Sequence, residues 1–178
     1  PISIVNGMIY MRGVESDYEQ WRQSGLGGWG YADLLPYFKR AEGSRDRRDD
    51  WHGTDGPLKT EPSVNFGTLE RAFIDAARAV GHRELDDFNG PDRTGVARTD
   101  STVSRGVRQS SAIAYLSQRP KNLTVLTRRH VARLMLDGRR AVGVETTDGE
   151  VISAGREVIV CQGAFGTPQL LMLSGIGP

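Results

Sequence analysis

The sequence predicts an α/β fold in which α+β elements come first and a β-meander with a strand–turn–helix unit follows. Two patterns predict it. Apolar residues recur at helical spacing from Leu69 to Val80. Beyond Pro120, short apolar runs alternate with turn residues, which is typical of paired strands. The 178 residues are 38% hydrophobic and 25% charged, as in an ordinary folded protein.

Four helices are predicted before residue 120. The capping-box pattern Ser16–Glu19 predicts the start of the first, and apolar residues on one side of Tyr31–Ala41 predict the second. The periodic stretch 69–80 predicts the third, with Gly81 as its terminating glycine. A short fourth helix is expected at residues 110–116.

The remaining segments are predicted as loops and strands. The charged stretch 43–56 reads as a loop, and the stretch 84–108, rich in Gly, Pro, Asn and Asp, reads as turns with one short strand near 96–103. Asp137-Gly138 and Asp148-Gly149 supply hairpin turns in the later region. Five strands are predicted there, at residues 123–127, 131–136, 141–146, 151–154 and 158–161.

A strand-to-helix junction is predicted after residue 161. The segment Gly163–Gly166 reads as a glycine-bearing turn, with Thr167 as the N-cap and Pro168 as the first helical residue. Backbone amides at such a helix start have no intrahelical acceptor, so they can face an anionic or polar ligand.

Composition excludes several classes of function. A net charge of +1 gives no field that would attract nucleic acid. Cys161 is the only cysteine, which excludes an internal disulfide and a CxxC metal or redox motif. The chain lacks both an apolar run of about 20 residues and a signal-peptide pattern, so we expect no membrane segment and a cytoplasmic location. His52, His82 and His130 lie far apart in the sequence, and we expect no metal site.

Two motifs have alternative interpretations. Gly25–Gly30 satisfies the letters of the G-x-G-x-x-G dinucleotide fingerprint, but a predicted helix precedes it where that motif requires a strand. His52 is a possible general base, or a structural histidine that makes hydrogen bonds within its loop. The sequence favours the structural role because no carboxylate partner is evident.

The C-terminal stretch Gly163–Gly177 resembles the second signature of the glucose-methanol-choline (GMC) oxidoreductases, with its Thr-Pro step, aliphatic pair and Ser-Gly-aliphatic-Gly end. Asn6–Gly13 is similar to the second half of the first signature. Further similarity, towards the choline dehydrogenase and related alcohol dehydrogenase branch, lies at residues 28–38, 51–58, 108–116 and 122–127. The resemblance therefore covers nearly the whole chain.

The resemblance implies a partial FAD-binding domain with the start of a substrate domain. Residues 1–58 and 121–178 would belong to the FAD side, and residues 59–120 would begin the substrate side. It implies FAD-dependent oxidation of a primary alcohol, choline-like or other, to an aldehyde by hydride transfer to the flavin. The proton-accepting histidine of the family lies in a later motif that has no counterpart here, so we assign no catalytic residue. We expect an internal, non-catalytic fragment. The electron acceptor stays open, and a non-catalytic α/β binding or interaction module derived from the family is the alternative.

The resemblance also implies which residues meet the cofactor. One group, in the N-terminal segment, would lie along the flavin, where Gly7 permits close backbone approach and the Asn6 side chain can make a hydrogen bond. A second group, in the C-terminal region, would meet the adenosine end of the cofactor through the Val131 backbone and the small residues of a turn. The residues of this second group could also be simple core and turn positions. The expected FAD-binding residues are Asn6, Gly7, Met8 and Ile9 in the first group and Val131, Gly163 and Ala164 in the second.

Overall fold

The computed structural model describes residues 5–63, 66–118 and 120–177. The chain forms two compact units, which divide between residues 120 and 121. Within the described residues, the first unit contains three α-helices and six short strands, and the second contains a three-stranded sheet and one helix. The mixed α/β class predicted from the sequence is confirmed.

The first two helices are α1 (Glu15–Gln23) and α2 (Tyr31–Ala41). The bounds of α2 agree with the prediction, and the loop 25–30 joins two helices, so the strand that a dinucleotide fingerprint requires does not precede it. The predicted capping box at Ser16 is wrong. The helix begins earlier, because the Val14 amide donates to the Asp17 carboxylate at 3.0 Å.

Aromatic side chains pack α1 against α2. The ring centroid of Tyr18 lies 5.8 Å from that of Tyr31 and 5.6 Å from that of Phe38. Tyr31 in turn stacks on Trp51 at 6.4 Å, and the guanidinium of Arg93 lies 4.9 Å from the Tyr31 ring. Tyr18 and Tyr31 are both buried, so these contacts form part of the apolar core of the first unit.

Helix α3 spans Thr68–Ala79 and confirms the third predicted helix. Gly81 ends it with a φ of 97°, and its amide donates to the Arg78 carbonyl at 3.0 Å. Of its apolar residues Ile74 is buried, whereas Leu69 and Phe73 are 78% and 68% exposed. The described chain therefore leaves much of the predicted apolar face uncovered.

A four-stranded sheet gathers distant segments of the first unit. Its strands are β1 (Ile9–Tyr10), β2 (Glu42–Ser44), β3 (Leu58–Pro62) and β4 (Asp100–Ser101), in the order β1-β4-β3-β2. Strands β2 and β3 are parallel and the other pairs antiparallel. The prediction of an uninterrupted loop from residue 43 is wrong, because Gly43 and Ser44 belong to β2. Its polar Glu-Gly-Ser sequence carries no strand pattern, although all three residues are buried.

Two smaller elements complete the first unit. Strands β5 (Val103–Ser104) and β6 (Val107–Arg108) form a hairpin, and the predicted fourth helix is present as a π-helical turn at Ala112–Leu116. The single strand expected near residues 96–103 is instead divided into an isolated bridge at Val96 and the separate strands β4 and β5.

The second unit is a β-meander followed by a helix. Strands β7 (Val131–Asp137), β8 (Arg140–Thr146) and β9 (Val151–Ser153) pair antiparallel in that order, which confirms three predicted strands. The strands predicted at 123–127 and 158–161 are wrong, since neither segment has a ladder partner among the described residues. Apolar composition alone does not make a strand, because a strand needs a neighbouring backbone.

Helix α4 spans Gly163–Leu173 and begins earlier than predicted, so Thr167 is not its N-cap and Pro168 lies inside it. Ser174 fastens the helix to β7: its hydroxyl accepts from the Leu134 amide at 2.8 Å and donates to the Leu170 carbonyl at 2.6 Å. Among the described residues, no helix is long and apolar enough to cross a membrane.

Candidate cofactor site

The segment from Asn6 to Ile9 is a tight turn that leads into β1. The Asn6 side chain closes it, since its Oδ1 accepts from the Met8 amide at 2.8 Å. Met8 has a φ of 63°, in the left-handed region that non-glycine residues rarely occupy. Strain of this kind costs about 1–3 kcal/mol and persists only where surrounding contacts enforce it.

Residues 102 and 108 provide those contacts. The Met8 carbonyl accepts from the Thr102 amide at 2.7 Å and from the Thr102 hydroxyl at 3.3 Å. The Arg108 Nη1 donates to the carbonyl and the side-chain oxygen of Asn6, at 2.9 and 3.1 Å. Ile9, the first residue of β1, is 62% exposed. The turn is thus held by fixed contacts while part of it faces outwards.

Gly7 gives the clearest test of whether this turn fits a flavin. Its φ lies outside the left-handed region, so the backbone does not require glycine here, and a Cβ at this position would meet no described atom within 4 Å. Packing within the described chain therefore does not require glycine either. Close approach of a ligand to the backbone is one remaining physical reason for a glycine.

In the second unit, Val131 lies on the sheet edge formed by β7. It is paired with Thr146, but the Thr146 amide donates to Glu150 and the Thr147 amide donates to His130. Neither amide therefore uses the Val131 carbonyl. A register shift between Val131 and Arg133 marks a bulge at this place.

Gly163 and Ala164 are the first two residues of α4 rather than residues of a turn before it. Gly163 has a φ of 77°, which favours glycine, and both residues are exposed. Gln162, next to Gly163, lines a cleft of about 280 Å³ together with Val131. The predicted adenosine-end residues therefore lie at or next to one cleft of the second unit, whereas Asn6 to Ile9 lie in the first.

A buried polar network in the first unit escaped the sequence analysis. Arg12 Nη2 lies 2.6 Å from Glu42 Oε2, with only 2% and 0% of the two side chains exposed. The Glu42 carboxylate also accepts from the Gly53 amide at 3.0 Å. Burial raises the pKa of Glu42, an effect that the Gly53 amide and Arg12 oppose. The ion pair joins the segment after β1 to β2.

His52 lies beside the same network, buried between two carboxylates. Its Nδ1 lies 2.8 Å from Asp49 Oδ1, and its Nε2 lies 3.7 Å from Asp87 Oδ1, the spacing of an ion pair rather than a hydrogen bond. Burial lowers the pKa of His52, but the carboxylates of Asp87 and Asp49 outweigh it and the pKa is raised. The structure thus provides two carboxylate neighbours where none was evident from the sequence. Asp49 at i−3 was visible in the sequence, whereas the distant Asp87 was not.

The chain belongs to the GMC oxidoreductase family, whose sequence profile matches residues 2–178. An oxygen-dependent choline dehydrogenase from Sinorhizobium fredii is 44% identical over 99% of the chain and 33% of the relative. The chain thus spans about a third of the length of the curated relatives it matches.

Solved structures show the same fold. A pyridoxine 4-oxidase from Mesorbium loti superposes with a TM-score of 0.91 and 36% identity, over 99% of this chain and 36% of the other. An FAD-dependent oxidoreductase from Chaetomium thermophilum superposes with a TM-score of 0.89 and 28% identity, over 99% of this chain and 34% of the other. Family and neighbours together indicate FAD as the cofactor.

Proposed function

We propose that the chain is the non-catalytic part of an FAD-dependent oxidoreductase that oxidises the CH–OH group of a primary alcohol, choline-like or other, to an aldehyde. Family membership and the choline dehydrogenase relatives support this class of substrate. The single structural observation that carries the proposal is the Asn6–Ile9 turn, which has an enforced left-handed residue at Met8 and a glycine at Gly7 that the described chain does not require.

In this proposal each expected residue contacts a stated part of the cofactor. Asn6, Gly7, Met8 and Ile9 lie along the flavin. The Val131 backbone meets the adenine, and Gly163 and Ala164 leave room for the adenosine portion at the start of α4. Residues 1–58 and 121–178 then belong to the FAD-binding domain, and residues 59–120 begin the substrate domain.

When bound, FAD supplies the redox chemistry by accepting the hydride of the carbinol carbon. The residues of this chain bind and orient it. The bonds to Asn6 and Thr102 fix the backbone of Met8, and Gly7 allows a flat ring system to approach the main chain. We propose no proton acceptor within the chain, and we expect the 178-residue chain alone to bind flavin weakly or not at all and to be inactive.

The test is flavin content and turnover of the full-length gene product. Protein purified without added cofactor is denatured, and the released flavin is identified by chromatography. Reduction of the bound flavin is then followed after addition of choline and of other primary alcohols without oxygen. Bleaching of the flavin absorbance by a primary alcohol is the expected result. Protein that carries no flavin and cannot be loaded with FAD would refute the proposal and favour the alternative, a non-catalytic α/β binding or interaction module.

The electron acceptor is tested separately. Reduced protein is mixed with oxygen or with a dye acceptor, and the rate of flavin reoxidation is compared. Fast reoxidation by oxygen identifies an oxidase, whereas reoxidation by the dye alone identifies a dehydrogenase. Either result is compatible with the proposed site, because the acceptor reacts only after the alcohol has reduced the flavin.

A further inference from the structure

Strand β1, which follows the proposed flavin turn directly, has very little backbone pairing of its own. It pairs with β4 only at Ile9 and Tyr10. Two-residue strands are marginal without further support. Since the turn at Asn6–Met8 is only one residue away from β1, any shift of the strand would displace the groups proposed to contact the flavin.

Asn89 adds side-chain bonds at the end of β1 that lies away from the Asn6–Met8 turn. Its Nδ2 donates to the Tyr10 carbonyl at 3.1 Å, and its Oδ1 accepts from the Arg12 amide at 2.8 Å. Carbonyl i and amide i+2 of an extended segment point to the same side, so the carboxamide occupies the place of a peptide group in a neighbouring strand. Asn89 is 1% exposed, so both bonds are shielded from water.

Contacts on the side of Asn89 away from β1 hold it in place. Its backbone amide donates to Asp87 Oδ1, and the other carboxylate oxygen of Asp87 lies 3.3 Å from Arg47 Nη1. The Nε2 atom of His52 faces the same carboxylate at 3.7 Å. The turn that carries Asn89 therefore has little freedom, and its position is transmitted to β1 through two directed hydrogen bonds.

We propose that Asn89 is a positioning residue for the flavin, which fixes β1 and thereby the depth of the Asn6–Ile9 turn against the isoalloxazine ring. The proposal rests on the function proposed above. Asn89 is 77 residues away from Arg12 in sequence, and it acts through the strand rather than by touching the cofactor. Its loss changes how the flavin is held as well as how stable the protein is.

The experiment compares Asn89→Ala and Asn89→Ser with Ile74→Ala in the full-length gene product. Ile74 is 3% exposed on α3, so its truncation lowers stability without removing a bond to β1. FAD affinity is measured by titrating apoprotein, and the environment of the ring by the visible absorbance and circular dichroism of the bound flavin. Asn89→Ala is expected to weaken FAD binding about tenfold, since a loosened turn that holds the binding position about a tenth of the time raises the apparent Kd by that factor, and to shift both spectra. Asn89→Ser shifts them less, and Ile74→Ala leaves them unchanged.

Hydrogen exchange of the wild-type protein gives a readout that does not depend on any variant folding. Adding FAD to apoprotein is expected to slow exchange at the Arg12 amide together with residues 6–9. Protection of residues 6–9 without protection of Arg12 would overturn the positioning role, as would Asn89 variants whose flavin spectra match those of Ile74→Ala. A wild-type protein that binds no FAD would instead refute the proposed function.

Discussion

Because the ion pair between Arg12 and Glu42 is buried, we predict that breaking it lowers the free energy of unfolding strongly. Replacing Glu42 by Gln removes the charge and leaves the Arg12 guanidinium, 2% exposed, without its counterion. Breaking a buried pair from one side costs about 3–5 kcal/mol because the remaining charge is desolvated and uncompensated. The Gly53 amide donates to the same carboxylate and can still donate to the side-chain oxygen of Gln. The fall in the free energy of unfolding therefore reflects mainly the removal of the negative charge.

The chain offers a matched control at the same distance. Arg22 Nε lies 2.6 Å from Glu19 Oε2 on α1, but 52% and 31% of the two side chains are exposed. Water already solvates both groups, so Glu19→Gln is expected to change the free energy of unfolding little. The comparison holds geometry nearly constant and varies burial.

Urea unfolding followed by tryptophan emission measures both variants. Trp21, Trp29 and Trp51 lie in the first unit, so their emission reports the unit that contains both ion pairs. A large fall in the urea midpoint for Glu42→Gln beside an unchanged midpoint for Glu19→Gln is expected. Equal midpoints for the two variants would show that burial of the Arg12–Glu42 pair does not determine its contribution.

Two further predictions concern single contacts. Burial raises the pKa of Asp87, but the nearby His52 ring, the hydrogen bond from the Asn89 amide and the charge of Arg47 outweigh it and lower the pKa from its ordinary 3.8 to about 2. This carboxylate therefore adds about 2 kcal/mol to the free energy of unfolding, which is present above about pH 4 and lost as the pH falls towards about 2. Between about pH 4 and about pH 2, Asp87→Asn should lose less of its free energy of unfolding than wild type does. An equal loss in the two proteins would contradict the lowered pKa of Asp87. Ser174→Ala leaves the buried Leu134 amide without its acceptor, at about 1–3 kcal/mol. Faster amide exchange across β7 in Ser174→Ala would confirm that Ser174 stabilises this strand, and unchanged exchange would exclude that role.

Local sequence patterns predicted the helices and the meander because those elements depend on nearby residues. The apolar period of α3 and its terminating Gly81 are properties of one segment, as are the Asp-Gly turns of the meander. Strand β2 could not be found this way, since Glu42, Gly43 and Ser44 carry no alternating pattern and pair with residues 58–60. At residues 158–161 the error was the opposite: a strand was predicted from their composition, but they have no strand partner among the described residues.

The candidate site shows the same division. The resemblance directed attention to Asn6–Ile9, but it did not predict the left-handed Met8 or the contacts from Thr102 and Arg108 that hold it. Those contacts link residues about a hundred positions apart, and only the fold brings them together. The structural role of His52 stays a prediction, and Asp87 became visible as its neighbour only in three dimensions.

The central claim is that a flavin lies against the backbone of the Asn6–Ile9 turn, and the affinity of Gly7→Ala for FAD tests it most directly. A Cβ at Gly7 meets no described atom, and neither does one at Gly27, the matched control in the first unit; both glycines have φ values outside the left-handed region. Both variants are therefore expected to fold normally in the full-length gene product. We expect Gly7→Ala to bind FAD at least about tenfold more weakly, since the added methyl occupies space needed by the ring, and Gly27→Ala to bind like wild type. Equal affinity of the two variants and the wild type would contradict the account.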